Sequence, residues 1–176
     1  MEKHGTRKVF IVEDSPSIRG RLVELLNDID GVRVVGEAET PDDAIAAGAK
    51  FIISPIMNFD VIHKTKELGA VSIPGAFTPT EIFNAYSGGA DIIKVFPGTS
   101  GPGFIKEVLA PLPHIPLMPT GGISLQNIHE FKRAGAVAFG IGKSLVDTKQ
   151  KVSESYLQEI VINAQKFMQA ANESVK

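Results

Sequence analysis

The sequence predicts an α/β domain in which about seven parallel strands alternate with helices, and three observations lead there. Short β-branched or apolar runs recur along the chain, their starts about 20 to 24 residues apart. The segments between them carry apolar residues at helical spacing. Each strand run is apolar on both alternating faces and so needs a cover on either side, which helical crossovers onto a parallel sheet supply. A barrel, closed or gapped, and an open doubly wound sheet both satisfy this pattern.

The first strand is Lys8 to Val12. Ser15 is placed to cap the following helix and Pro16 to occupy its first turn, with Ile18, Leu22, Leu25, Leu26 and Ile29 on one face. Val32 to Val35 is the second strand, and a helix is expected across Thr40 to Ala47. Phe51 to Ile53, Ala70 to Ile73, Ile92 to Phe96, Ile115 to Met118 and Val137 to Ile141 complete the strands. The last helix is the clearest: Tyr156, Leu157, Ile160, Val161, Ala164, Phe167, Met168 and Ala171 form one apolar stripe about five turns long.

Composition narrows the function classes. The 176 residues include 18 Lys and Arg against 20 Asp and Glu, a formal charge of -2, which gives no electrostatic reason to expect nucleic acid. Apolar residues make up 43%, enough for a folded core. Cysteine is absent, which excludes disulfides, thiolate zinc sites and a cysteine nucleophile. No apolar run reaches the roughly 18 residues a membrane span needs, and the polar start is unlike a signal peptide, so no membrane partner and a cytoplasmic location are expected. His4, His63, His114 and His129 share no metal-ligand spacing, so no metal is expected, and no cofactor is called for. A single domain over 1–176 fits the length, whereas a full eight-unit barrel, typically about 250 residues, would be cramped.

In either architecture the loops after the strands form the site. The first is Glu13-Asp14-Ser15-Pro16, and the stretch from Val9 through the helix to Val32-Arg33-Val34-Val35-Gly36-Glu37-Ala38 resembles the start of a response-regulator receiver domain. In that family an acidic pair after the first strand holds Mg²⁺ beside a phosphoryl-accepting aspartate after the third, and two adjacent carboxylates suit a hard cation. Here Pro55 stands about where that aspartate would be. Proline offers no nucleophile, so Glu13 and Asp14 read as a solvated helix start favoured by the dipole.

The remainder carries a different set of motifs: Gly48-Ala49-Lys50-Phe51-Ile52-Ile53-Ser54-Pro55, Ile73-Pro74-Gly75, Ile92-Ile93-Lys94-Val95-Phe96-Pro97, Met118-Pro119-Thr120-Gly121-Gly122-Ile123 and Gly140-Ile141-Gly142. In this order and spacing they resemble the later part of 2-keto-3-deoxy-6-phosphogluconate aldolase, a class I aldolase with a β/α barrel of the TIM type and a trimeric assembly. The resemblance favours the barrel-like sheet and leaves the open flavodoxin-like sheet as the alternative.

Strand alternation puts Ile92, Lys94 and Phe96 on one face and Ile93 and Val95 on the other. A lysine among apolar neighbours is desolvated, which lowers its proton affinity and leaves some neutral amine to attack a ketone. The resemblance implies that Lys94 forms a Schiff base with a 2-keto acid. Thr120-Gly121-Gly122 closes a strand and opens a helix at about Leu125, where exposed N–H groups and missing side chains let a phosphate approach. Gly140 to Ser144 repeats that arrangement, and the resemblance implies phosphate binding at Thr120, Gly121, Gly122 and Gly142. Lys143 stands where the family commonly has glycine or serine. Phosphate or a phosphorylated keto acid is therefore the expected ligand.

The aldolase family also uses a glutamate acid/base, an arginine on the phosphate and a threonine on the next strand, all before the matched region. Two ancestries in one chain suggest an engineered join near Thr40 to Ala47, with a receiver-like segment over about 7–43 and an aldolase-like segment over about 44–172. Such a chimera is expected to be a scaffold with at most residual Schiff-base chemistry or phosphate binding, the alternative being a working keto-acid aldolase. Unpaired sheet edges leave a homo-oligomer open.

Overall fold

A computed structural model of the chain describes residues 7–12, 15–28, 32–151 and 153–173. The first strand β1 (Arg7–Val12) pairs in parallel with β2 (Val32–Ala38), with a register shift between Val9 and Phe10. Between them lies α1 (Pro16–Asn27), with Ser15 at its N-cap and proline in the first turn, where no amide hydrogen is missed. None of its residues is buried.

A short helix α2 (Pro41–Ala46) opens on Thr40, whose hydroxyl accepts the Asp43 N–H at 3.3 Å, and Asp42 and Asp43 complement the positive end. The next strand β3 (Phe51–Ile53) pairs with β4 (Val71–Ile73) across α3 (Phe59–Glu67), which is capped by the Asn58 side chain. The expected strand at Ala70 to Ile73 continues after a break. Pro74 has no N–H for a ladder, so the strand is interrupted there and resumes as β5 (Gly75–Ala76). The Pro74 carbonyl still accepts the Lys94 N–H at 2.9 Å.

After α4 (Pro79–Ser87) comes β6 (Ile93–Val95), then α5 (Gly101–Leu109) and β7 (Leu117–Pro119), giving a parallel ladder β5-β6-β7. The expected strand at Val137 to Ile141 is reduced to a single bridge between Thr120 and Gly140, although Val137 N–H and Gly140 N–H donate to Leu117 and Pro119 at 3.0 and 2.9 Å. The chain ends in α6 (Ile128–Arg133) and α7 (Glu154–Asn172); α7 covers the predicted final stripe.

Neighbouring strands follow chain order in every ladder. An open flavodoxin-like sheet would place β1 between β2 and β3, and no such pairing occurs among the described residues. The core lies between the outer face of the strands and the helices, where Ile62, Ile82, Ile93, Val95, Ile105, Leu117 and Phe131 are almost fully buried. Each such side chain contributes about 1.5 to 3 kcal/mol relative to exposure. Asp91 ties this layer together by accepting the Ser72 N–H at 2.8 Å and pairing with Lys66 at 2.6 Å.

Candidate active site

The strand that positions Lys94 is central in its ladder: β6 lies between β5 and β7, and Lys94 is in register with Gly75 and Met118. Its neighbours Ile93 and Val95 are 0% and 1% exposed against the helices. Lys94 therefore faces the other side of the sheet, as alternation predicts, and is half-buried there. Burial pushes its ammonium below the ordinary lysine range, because the charged form loses hydration. Among the described residues no carboxylate pairs with it. Its Nζ instead lies over the Phe96 ring, 5.5 Å from the centroid.

The strand-end turns are held close together. Gly121 and Gly122 adopt φ of +90° and +74°, a left-handed pair that residues with a Cβ rarely take. The Gly98 N–H donates to the Thr120 carbonyl at 2.7 Å. A Cβ on Gly140 would sit 2.2 Å from Thr120 Oγ1, so the second turn reaches its place only without a side chain at that position. Gly142 accepts the N–H groups of Leu145 and Val146, and Lys143 is exposed beside it. The helix expected at about Leu125 begins instead at Ile128. Asn127 delays it by accepting the Ser124 N–H at 2.8 Å and donating to the Gly122 carbonyl at 2.9 Å, which closes the turn first.

A cavity of about 410 Å³ opens at the ends of β3, β5 and β6, lined by Pro55, Met57, Gly75, Phe77, Glu81 and Phe96 among others. A Cβ on Gly75 would lie 2.0 Å from the Pro55 carbonyl oxygen, so the strands approach here through backbone alone. A larger hollow of about 560 Å³ follows the exposed side of α7 around Leu157 and Val161 and holds none of the groups just described.

Among the described residues, Glu81, Glu37 and Glu39 near the strand ends are engaged elsewhere. Glu81 accepts the N–H groups of Thr78 and Phe77 at 2.8 and 2.9 Å, and these bonds hold its carboxyl below the usual range. Glu37 pairs with Arg19 Nε at 3.2 Å, and Glu39 pairs with Arg19 Nη2. Glu13, Asp14 and His4 lie outside the described residues. The other histidines have partners of their own: Phe59 for His63, Tyr86 for His114 and Glu173 for His129.

Sequence reasoning put Phe96 on the lysine's face without giving it a role, and passed over Glu81. For the first, the signal for a role was its being the next residue on that face, two positions along the chain. The second was findable from Thr78-Pro79-Thr80-Glu81, the spacing of a capping box, which the structure forms.

The sequence model for KDPG and KHG aldolase matches residues 25–162. The chain belongs to this family. It is 31% identical over 148 residues to the 2-dehydro-3-deoxy-6-phosphogalactonate aldolase of Escherichia coli, covering 83% of this chain and 70% of the relative. To the 2-dehydro-3-deoxy-phosphogluconate aldolase of Treponema pallidum it is 28% identical over 165 residues, 93% of this chain and 77% of that one. Other curated relatives are matched over about half of their own length. A solved structure described as native KDPGal superposes with a TM-score of 0.66 at 26% identity, covering 97% of this chain and 85% of that chain.

These matches overturn the expected chimera. The family match crosses Thr40 to Ala47, where a junction was expected, and the aligned relatives cover most of the chain. The front is not a receiver fragment, and the reading as a designed scaffold with residual chemistry falls with it. The error has a physical source. An apolar strand, an acidic loop and a proline-initiated helix are demanded by any parallel sheet covered with helices, so a motif of this size does not distinguish one such family from another. Among the described residues, no helix is long and apolar enough to cross a membrane.

Proposed function

We propose that the chain is a class I aldolase that splits a phosphorylated 2-keto-3-deoxy sugar acid into pyruvate and an aldehyde through a Schiff base on Lys94. The observation that carries this reading is a half-buried lysine on a central strand, lacking a carboxylate partner among the described residues, beside two glycine turns at the strand ends. The names of the aldolases from Escherichia coli and Treponema pallidum support the substrate class.

In this reading the neutral Nζ adds to the keto carbon while the carbonyl oxygen gains a proton, forming a carbinolamine. Uptake of a proton and loss of water give a protonated iminium; the hydroxyl beside the breaking bond then gives up its proton and becomes the aldehyde carbonyl as the C–C electrons flow into the iminium. Protonation of the enamine and hydrolysis of the iminium release pyruvate and restore the amine. The turns that carry Thr120, Gly121, Gly122 and Gly142 would receive the phosphate, and the 410 Å³ cavity the rest of the substrate. The same reading takes residues 1–176 as one domain and its sheet as a gapped barrel, consistent with sequential strand order in each ladder.

Borohydride reduction with pyruvate, followed by peptide mass spectrometry, tests it. The expected result is a pyruvate-derived increment on Lys94 that Lys94→Met abolishes, with pyruvate released from the phosphorylated keto acid by the unmodified protein. An increment on other lysines only, or none, sinks the assignment.

A further inference from the structure

Lys94 on β6 and Phe96 just past its end meet in a way the lysine chemistry alone does not require. Lys94 and Phe96 are separated by one residue, so both project from the same side of the strand. Hydrogen bonds fix the backbone under each: Lys94 N–H donates to Pro74 at 2.9 Å and Phe96 N–H to Ala76 at 3.2 Å. The ring is 52% exposed and lines the 410 Å³ cavity. Its edge also lies against the first glycine turn, where a Cβ on Gly121 would be 3.4 Å from Phe96 Cε2. The ring thus touches both the amine and the turn proposed to receive phosphate.

We infer that Phe96 is a positioning residue for the Lys94 nitrogen, its ring face holding that nitrogen beside the cavity that the ring lines and favouring its cationic states. The inference rests on the aldolase reading for its use in turnover, but the contact itself does not. A ring face attracts a cation through its quadrupole and gains little from a neutral amine. Two species on the proposed path carry positive charge on this nitrogen, the resting ammonium and the protonated iminium. The neutral amine and the carbinolamine do not. The ring therefore opposes the effect of burial on the resting lysine and supports the intermediate into which electrons flow.

Among the described residues, the strands around the pair carry little other charge. Lys94 is the sole titratable side chain on β5, β6 and β7, and none occurs on β3. Glu81 at the start of α4 shares the cavity wall, but its carboxylate is taken by the Phe77 and Thr78 amides. Lys143 is exposed on the loop after Gly142.

The test is a titration of Lys94 by NMR in protein labelled with ¹³C at lysine Cε, its signal assigned through Lys94→Arg. Phe96→Leu, which keeps apolar bulk and removes the ring face, is expected to lower the midpoint by about half a pH unit, whereas Phe96→Tyr keeps it. An unchanged or raised midpoint in Phe96→Leu overturns the inference. If that variant does not fold, trifluorophenylalanine at position 96 keeps the ring's outline while weakening its quadrupole. It must lower the midpoint too, and no shift there overturns the inference equally. No keto acid enters this measurement, so a protein that fails pyruvate trapping while showing the shift refutes the aldolase assignment and leaves the ring's role intact.

Discussion

In α1 the apolar residues Ile18 and Leu25 are each 53% exposed and nothing is buried, whereas in α5 Ile105 and Val108 are 1% and 3% exposed. Both helices carry an apolar stripe and both follow a parallel strand. The difference lies in what faces them. Behind α5 stands the three-stranded ladder β5-β6-β7, with α6 packed alongside, while α1 belongs to the two-stranded pair β1-β2. A two-stranded sheet offers little apolar surface, so a stripe laid against it stays wet. An amphipathic pattern states that a face can be buried. The opposing surface decides whether it is.

The contrast is open to direct attack, most strongly in the rear half. Ile93→Ala removes a fully buried side chain from β6 and should lower stability by about 2 to 5 kcal/mol in urea unfolding. A loss below about 1 kcal/mol would mean that the rear layer is as loosely packed as the front. Gly140→Ala comes next. Its methyl must displace the Thr120 hydroxyl, and a loss of about 1 to 3 kcal/mol is expected by the same measurement.

The Asp91 bridge sharpens the comparison through pH. Burial resists ionisation of this carboxyl, but Lys66 and the Ser72 N–H outweigh it and hold it below the usual range. A carboxyl depressed in the folded state contributes stability above its unfolded value, near pH 3.9, and loses that contribution as pH falls through the folded value. Asp91→Asn should therefore lower stability by about 1 to 2 kcal/mol at neutral pH, the figure limited by solvent screening of a side chain 34% exposed. The difference from the parent should shrink in acid. Equal losses at neutral pH and at about pH 3 would remove the charge from the explanation.

Smaller effects follow at the surface. Thr78→Ala deletes the N-cap of α4 and should cost about 1 kcal/mol, measurable as a shift in the urea midpoint. Leu25→Ala on α1 should change stability by less than about 0.5 kcal/mol, and a larger loss would show that the front helix is packed in solution.

Much of this was legible from residue patterns. Six apolar runs became strands because their neighbours supplied ladder partners, and Lys94 was placed on its face by alternation alone. The run Ala70 to Ile73 stops before Pro74, which lacks the donor a ladder needs, and β4 ends there too; the resumption at Gly75–Ala76 is hidden because proline and glycine together read as a turn. The fate of Val137 to Ile141 was harder to see. Its run is apolar, but Gly140 and Gly142 favour turns over extended pairing, and Thr120 sets where the single bridge forms. The ring contact at Lys94 depends on side-chain direction, which spacing restricts without deciding. Ancestry of the front was misread for the opposite reason: its pattern is clear but common to many parallel sheets.

The seat of Gly140 on Thr120 has a consequence for how such a protein can change over time. Because the two turns touch without slack, neither can grow a side chain at that point unless the other gives ground. Substitutions that widen or narrow the mouth should then arise in pairs, with a smaller residue at one position accompanying a larger one at the other.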